Sequence, residues 1–317
     1  MGKLANGIDD TPISTVLTVG FGSKIPILMC LAMHASMYDN AAVKKNINFL
    51  KKKIEFLSPQ MIEGKAKAPE PEDVLNYVLK RFGHSSVLDK EKVLISAGPT
   101  IEYVDPVRVI TNQSTGKTGV LLAKEMLSAG AKVTLVYGPG KEAPPDGIKH
   151  IPVKTTNEMK SAIQKELKKK FDIVIMAAAA SDYTVKNPSK SKIKSNNEDI
   201  AIKLVKSPKI INQIKKKKKN TFLVGFKAET NLSKTALEKV ATKKLHESNS
   251  DMIIANDIGT KYAKNPENNQ VLVLSSKAKT WSGRQKKDRI VKFIRKEIEK
   301  EFNKKKKMTP LHIQRMS

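Results

Sequence analysis

Apolar residues run without alternation through residues 93–97, give way to a long polar loop, and resume at helical spacing over 114–129. The same rhythm continues down the chain. Residues 132–137 read as strand, 157–169 as helix and 172–179 as a continuous apolar strand; then 221–226 as strand, 233–248 as helix, and 252–255 and 270–275 as two further strands. An amphipathic helix over 288–302 places Ile290, Val291, Ile294 and Ile298 on one face. Unbroken Val, Ile and Ala runs suit parallel strands covered on both faces, so the pattern predicts an α/β, doubly wound open sheet. One stretch interrupts the rhythm. Residues 181–206 are polar, rich in Lys and too long for a simple connection, and read as a flap with a short strand at 200–204.

Upstream the pattern is less regular. The first residues read as a helix end and a loop. A strand-like apolar run over 25–33 follows, then a helix in which Ala42, Asn46, Ile47 and Leu50 share a face, then a short strand at 54–59, which together make a βαβ-like unit. Pro69 and Pro71 precede another amphipathic helix with Val74, Tyr77 and Val78 turned inward. Polar residues 84–92 mark a boundary. The expected organisation is a first domain over 1–83, a linker over 84–92, a second domain over 93–302 and a basic, disordered tail over 303–317.

Composition changes this picture in a few places. The 317 residues exceed the usual single-core size and support two domains. The one cysteine, Cys30, excludes an intramolecular disulfide and a paired-cysteine metal site, which fits a reducing cytoplasm. The apolar run from Ile25 is about half of the ~20 residues a membrane span needs, so no membrane segment is expected. A net charge of +28 invites a nucleic-acid reading. The excess is Lys rather than base-reading Arg, and aromatics are only 5%, so the lysine runs at 215–219 and 304–307 read as a solvated helix end and a tail, with no dedicated nucleic-acid site.

Candidate chemistry lies at the strand ends. The sequence STGKTG lacks the earlier glycine of a phosphate-binding NTPase loop, since that position is Thr111, and neither Gly20-Phe21-Gly22 nor Gly98-Pro99 completes a dinucleotide fingerprint. What remains is a cradle in which Gly98 and Thr100 leave a strand and Ser114, Thr115 and Gly116 open a helix; it serves either an anion or plain capping by Ser114. Asn112 and Gln113 offer amides to a carboxylate or acyl group, and Arg108 offers a bidentate donor; loop scaffolding is the alternative. Ala177, Ala178, Ala179 and Ala180 leave room for a flat ligand, and Asp182 is a candidate ligand for Mg²⁺ on a triphosphate, or else a turn residue. Lys190, Lys192 and Lys194 sit in the flap, as phosphate cations or as surface charge. Phe226, Lys227, Glu229, Thr230 and Asn231 form another polar strand end, and Asn256 with Asp257 a further one.

GPTIEYVDPVRVITNQSTGKTG, AAAASDYTVKNPSKSKIK, VGFKAET and MIIANDI, in this order, resemble the phosphopantothenoylcysteine synthetase half of the bifunctional coenzyme A biosynthesis proteins. The resemblance spans roughly residues 92–301. It implies a Rossmann-like open parallel sheet and a ligase that joins 4′-phosphopantothenate to L-cysteine through an acyl-cytidylate, using CTP; eukaryotic relatives favour ATP. It further implies that Asn112 binds the acyl-cytidylate, that Lys192 serves activation and transfer, and that Ala177, Ala178, Asp182, Pro208, Lys209, Ile210, Ile211, Phe226 and Lys244 form the CTP site with Mg²⁺. Ser248 stands where bacterial members commonly carry another lysine. Ligase domains of this family pair as homodimers.

Residues 31–50 and 63–75 resemble the last third of the flavin-dependent decarboxylase of the same family, a flavodoxin-like domain. The family motif Pro-x-Met-Asn-x-x-Met-Trp is here Leu31-Ala32-Met33-His34-Ala35-Ser36-Met37-Tyr38, and the clamp cysteine is absent from SPQMIEGKAKAP. The expectation is a ligase attached to a partial, inactive decarboxylase remnant whose first strands, flavin loop and catalytic His would precede Met1, with FMN bound only if that domain is complete. A basic nucleotide-binding module without catalysis is the alternative.

Overall fold

The computed structural model describes residues 1–23, 25–57, 60–62, 65–71, 73, 74, 77, 78, 85, 87–194, 199–259 and 267–313. The chain divides into two compact units, Met1–Phe82 and Gly83–Ser317.

In the first unit, α1 (Gly2–Ala5) and α2 (Pro12–Gly22) precede β1 (Leu28–Cys30), β2 (Met33–His34), α3 (Ala35–Tyr38), α4 (Ala41–Leu50), β3 (Glu55–Leu57), β4 (Gln60–Ile62) and β5 (Lys65–Lys67). β1 and β3 pair in parallel across α4, which is the βαβ unit the pattern predicts. Leu4, Leu50 and Ile54 are its buried cluster. The opening differs from the sequence reading: α2 is a full helix, started by a reciprocal cap between Thr11 and Ser14 with Pro12 next to it. Val74, Tyr77 and Val78 are half-buried, and the Tyr77 hydroxyl donates to Glu55 at 2.7 Å. His84 and Ser86 of the expected linker lie outside the described residues.

The second unit contains β6 (Lys92–Ala97), β7 (Ile101–Tyr103), β8 (Val109–Thr111), α5 (Lys117–Ser128), β9 (Lys132–Tyr137), β10 (Lys149–Pro152), α6 (Thr156–Glu166), β11 (Ile173–Met176), β12 (Tyr183–Val185), β13 (Leu204–Lys206), α7 (Ile211–Lys217), β14 (Phe222–Glu229), α8 (Lys234–Ser248), β15 (Met252–Asp257), β16 (Asn268–Asn269), β17 (Val271–Ser275), β18 (Lys279–Trp281), β19 (Gln285–Lys286) and α9 (Lys287–Ile313). Eight strands form one sheet in the order β10-β9-β6-β11-β14-β15-β17-β18. The first six are parallel, and β17 and β18 close one edge antiparallel.

Successive residues of a strand face opposite sides, so each buried strand feeds two cores. Val93, Ile95 and Ala97 pack with Leu122 and Met126 of α5 and with Ile290, Ile294 and Ile298 of α9. Leu94 packs on the other side with Met159 and Ile163 of α6 and Ile214 of α7. Each such large side chain contributes about 1.5–3 kcal/mol on burial. The expected doubly wound α/β sheet is therefore what the chain forms. Because β6 is followed by β9 on one side and β11 on the other, the strand order reverses between β6 and β11, the place where sheets of this kind open a crevice.

Four elements depart from their sequence readings. The helix expected over 114–129 begins at Lys117, because Gly116 at φ 82° is its N-cap. The strand expected over 172–179 ends at Met176, after which Ala177 and its neighbours peel toward β6, with Pro99 bridging Ala179. The flap is a two-stranded ribbon whose second strand is β13, paired with β12, rather than residues 200–204; its residues 195–198 lie outside the described residues. Finally α9 runs on through Ile313 instead of ending at Phe302. Phe302 is buried, and Lys304, Lys305 and Lys306 pair with Glu301, Asp251 and Glu91, which gives the lysine run carboxylates to hold it in helix.

Candidate active site

A cleft of about 750 Å³ opens at the carboxyl ends of β11 and β14. Its floor is Met176 and Ala178–Ala180, where the short side chains leave backbone accessible. Ile210, Ile211 and the half-buried Phe226 supply apolar walls. Asn112, Gln113 and Ser114 reach one side from the loop after β8, and Asp182, Ser207, Lys209, Lys243, Lys244 and Glu247 form the polar rim. A flat heterocycle fits against the alanines and Phe226, and an anionic chain fits the lysines.

Local bonding fixes these groups. The Asn112 side-chain amide donates to the Ala179 carbonyl at 3.0 Å, joining the β8 loop to the alanine floor across the sheet's reversal point. Lys209 Nζ donates to Asp182 Oδ1 at 2.5 Å, so the carboxylate already faces a cation. Burial, followed by the repulsion of the Lys209 ammonium, holds Lys244 below the usual lysine value. An anion in the cleft would relieve that repulsion. Ser207 donates its N–H to the Asp182 carbonyl at 2.9 Å, yet its hydroxyl oxygen is buried with no partner among the described residues. A buried, unmatched hydroxyl on a cleft wall is a ready contact for a polar ligand.

Other sequence-predicted residues act behind the cleft. Thr100 is fully buried; its hydroxyl meets Thr156 Oγ1 at 2.8 Å and accepts the Ser181 N–H at 2.9 Å. Beside it Glu102 is buried, accepting the Thr156 N–H at 3.1 Å and the Thr184 hydroxyl at 2.6 Å. This network ties the start of α6 to the strand that follows Asp182. Gly98 lies at φ 76° with a Cβ position only 2.8 Å from the Gly138 carbonyl, so its role is close packing of two loops. Thr115 and Gly116 pack on Tyr137 and the loop after β9, and Ser114 accepts the Gly116 N–H at 3.3 Å instead of capping the helix. The expected cradle at Gly98, Thr100, Thr115 and Gly116 thus scaffolds the site, while Asn112 and Ser114 line it.

Arg108 likewise points away from the cleft. Its guanidinium donates to Asp105 at 2.6 Å and to the Ile193 carbonyl at 3.1 Å, and the Ile193 N–H donates to Asp105 at 3.1 Å. The pair therefore clamps the flap between Lys192 and Lys194. Burial pushes the Asp105 carboxyl up, but the N–H groups of Val107, Arg108 and Ile193 and the Arg108 guanidinium outweigh it, leaving a pKa of about 2. Lys190, Lys192 and Lys194 are exposed on the flap and do not line the cleft. Lys227 pairs with Glu229 at 2.7 Å, and Asp257 accepts the Asn231 N–H at 2.8 Å, so these strand ends brace one another. Ser248 is buried, donating to the Lys244 carbonyl at 2.7 Å. Sequence reasoning missed Ser207, Lys243 and Glu247. Lys243 and Glu247 share a helix face with Lys244, which helical spacing alone would have revealed.

In the first unit, His34 caps α3, with Nδ1 2.9 Å from Ser36 Oγ. Among the described residues of this unit, no buried side-chain nitrogen or oxygen lacks a partner. No helix among the described residues is long and apolar enough to cross a membrane.

Comparison with known proteins gives a consistent result. The family described as the DNA/pantothenate metabolism flavoprotein C-terminal domain matches residues 88–302, and the family described as flavoprotein matches residues 1–83. The coenzyme A biosynthesis bifunctional protein CoaBC of Thermococcus kodakarensis is 44% identical over 86% of this chain and 67% of its own length. That of Methanocaldococcus jannaschii is 37% identical over 93% of this chain and 73% of its own. A crystal structure of the C-terminal domain of a CoaBC protein superposes with a TM-score of 0.58 at 32% identity, covering 69% of this chain and all of that domain.

Proposed function

We propose that the second unit of this chain, which belongs to the family of bifunctional coenzyme A biosynthesis proteins, is a phosphopantothenate–cysteine ligase working through an acyl-cytidylate. The observation that carries this reading is the cleft itself. Asn112, the alanine floor with Asp182, the segment from Pro208 to Ile211, Phe226 and Lys244 come from five separate stretches of sequence and line one crevice.

A carboxylate is a poor electrophile until it carries a good leaving group. In the first half-reaction a carboxylate oxygen of 4′-phosphopantothenate attacks the α-phosphorus of CTP. The bond to the β-phosphate breaks, and pyrophosphate leaves. In the second the amine of L-cysteine attacks the acyl carbon, the bond to the CMP oxygen breaks, and the amine gives up a proton as the amide forms. The cleft's contribution is placement and charge. The base rests on Ala178 between Ile210 and Phe226, Lys209 and Lys244 meet the phosphates, and the Asn112 amide donates to the acyl oxygen. Lys192, carried by the flap that Asp105 and Arg108 anchor, supplies a further cation to activation and transfer.

For Mg²⁺ the donor set is a single carboxylate, Asp182; among the described residues no group of three or more His, Cys, Asp or Glu could hold a metal. Mg²⁺ keeps several waters and is commonly held by one or two carboxylates plus substrate phosphates. Asp182 therefore fits a metal that arrives with the triphosphate, where it would neutralise charge on the leaving pyrophosphate.

The route makes an isotopic prediction. With the carboxylate of phosphopantothenate labelled in ¹⁸O, one labelled oxygen must appear in CMP, read by mass spectrometry. Label in inorganic phosphate would indicate an acyl-phosphate route, and label in neither would remove carboxylate activation from the account.

A further inference from the structure

The two lysine runs that the sequence presents as separate solvated ends meet in space. At the end of the sheet where β11 and β14 begin, opposite the cleft, a second cavity of about 720 Å³ has Phe171, Thr221 and Phe302 at its base. Its rim carries Lys170, Lys217, Lys218, Lys219, Lys305 and Lys306. Three different parts of the chain contribute these ammonium groups: the residues before β11, the end of α7 with the residues after it, and the later turns of α9.

Lysines at the end of α7 suit the negative pole of that helix, and this accounts for their presence there. It does not account for the convergence on them of α9 and Lys170. One carboxylate, Asp172, also lines the cavity, against six lysines, and accepts the Lys92 backbone N–H at 2.9 Å; outside the lining, Asp251 is shared between Lys215 at 2.5 Å and Lys305 at 2.7 Å, and Glu91 is paired with Lys306. Among the described residues, Lys170, Lys217, Lys218 and Lys219 make no ion pair. Beneath them Lys215 is buried, and burial lowers its pKa despite the Asp251 carboxylate. Like charges gathered on one rim raise the local potential and attract a compact anion.

The residue types narrow the ligand. Lysine is a point charge without the planar fork that reads base edges. The rings of Phe171 and Phe302 belong to residues each only 6% exposed, so no stacking platform is offered to single-stranded bases. The volume lies in the range of small-molecule pockets, roughly 300–1,000 Å³. We propose that this cavity binds a condensed-phosphate anion, of the tripolyphosphate class, at a site separate from the nucleotide cleft.

Calorimetric titration of the full chain with tripolyphosphate, in buffer of about 150 mM ionic strength and with CMP, which carries no condensed phosphate, present to occupy the cleft, tests the proposal. Binding should weaken at least tenfold in Lys217→Glu/Lys219→Glu and several-fold in the milder Lys217→Gln/Lys219→Gln, and Lys244→Gln in the cleft should leave it unchanged. Thermal melts check that each variant is folded, and the neutral variant carries the test if the charge reversal is not. Absence of binding, loss of binding in Lys244→Gln, or tighter binding to a short RNA of equal phosphate content would each overturn it.

Discussion

At the scale of the residue, Ser207 offers a sharp test of where the nucleotide lies. Its hydroxyl oxygen is buried on the cleft wall without a partner, and a hydrogen bond supplied by a ligand there is worth about 0.5–1.5 kcal/mol. Ser207→Ala should therefore raise the KM for CTP by about two- to tenfold while leaving the fold and kcat close to wild type, as measured by steady-state kinetics with thermal melts alongside. An unchanged KM would place the nucleotide elsewhere in the cleft. The residue was illegible in the sequence because one serine among many carries no signal; its significance lies in a missing partner, and partners are set by the fold. Asn112 was legible as an amide next to a loop of candidate chemistry, but the Ala179 carbonyl that holds it belongs to a different strand, and no local pattern predicts that pairing.

Among the elements, the segment joining β11 to β12 and the flap beyond it are held by two buried carboxylates. Glu102 accepts from Thr156 and Thr184 at once, so Glu102→Ala strands two donors and should cost about 1–3 kcal/mol, read as a lowered unfolding midpoint with weaker nucleotide binding. A variant as stable as wild type would show that the network does not position the site. Asp105 makes a pH prediction. Its folded pKa of about 2 lies below the ordinary 3.8, so the unfolded chain takes up the proton first as pH falls. The clamp's contribution is whole above about pH 4 and is lost as pH drops toward 2. Asp105→Asn should flatten that part of the stability–pH curve, as measured by denaturant titrations across the range. The long strands and helices were readable from periodicity because burial on both faces writes itself into sequence. The starts and stops were less so: Gly116, not Ser114, begins α5, since the left-handed backbone and the packing of Tyr137 outweigh the capping preference of serine. The lysine run of α9 read as a tail because its carboxylate partners lie on other elements.

For the whole molecule, strand order decides where function can sit. Alternating β and α segments announced a doubly wound sheet, and the reversal of order between β6 and β11 set the crevice that Asn112 and the alanine floor share. The sequence could not show which strand neighbours which, and so could not separate the residues that line the cleft from those that stand behind it, such as Thr100 and Arg108. It also could not show that two distant lysine runs meet at the other end of the same sheet. In the proposed ligase the cleft activates a carboxylate with a nucleotide. The decisive measurement is pyrophosphate release by the purified full chain, with CTP and ATP side by side and with or without 4′-phosphopantothenate. Release with CTP is expected only when 4′-phosphopantothenate is also present, and is reduced about 10²–10³-fold in Asn112→Asp. Release that ignores phosphopantothenate, or no release with either nucleotide, would contradict the proposal.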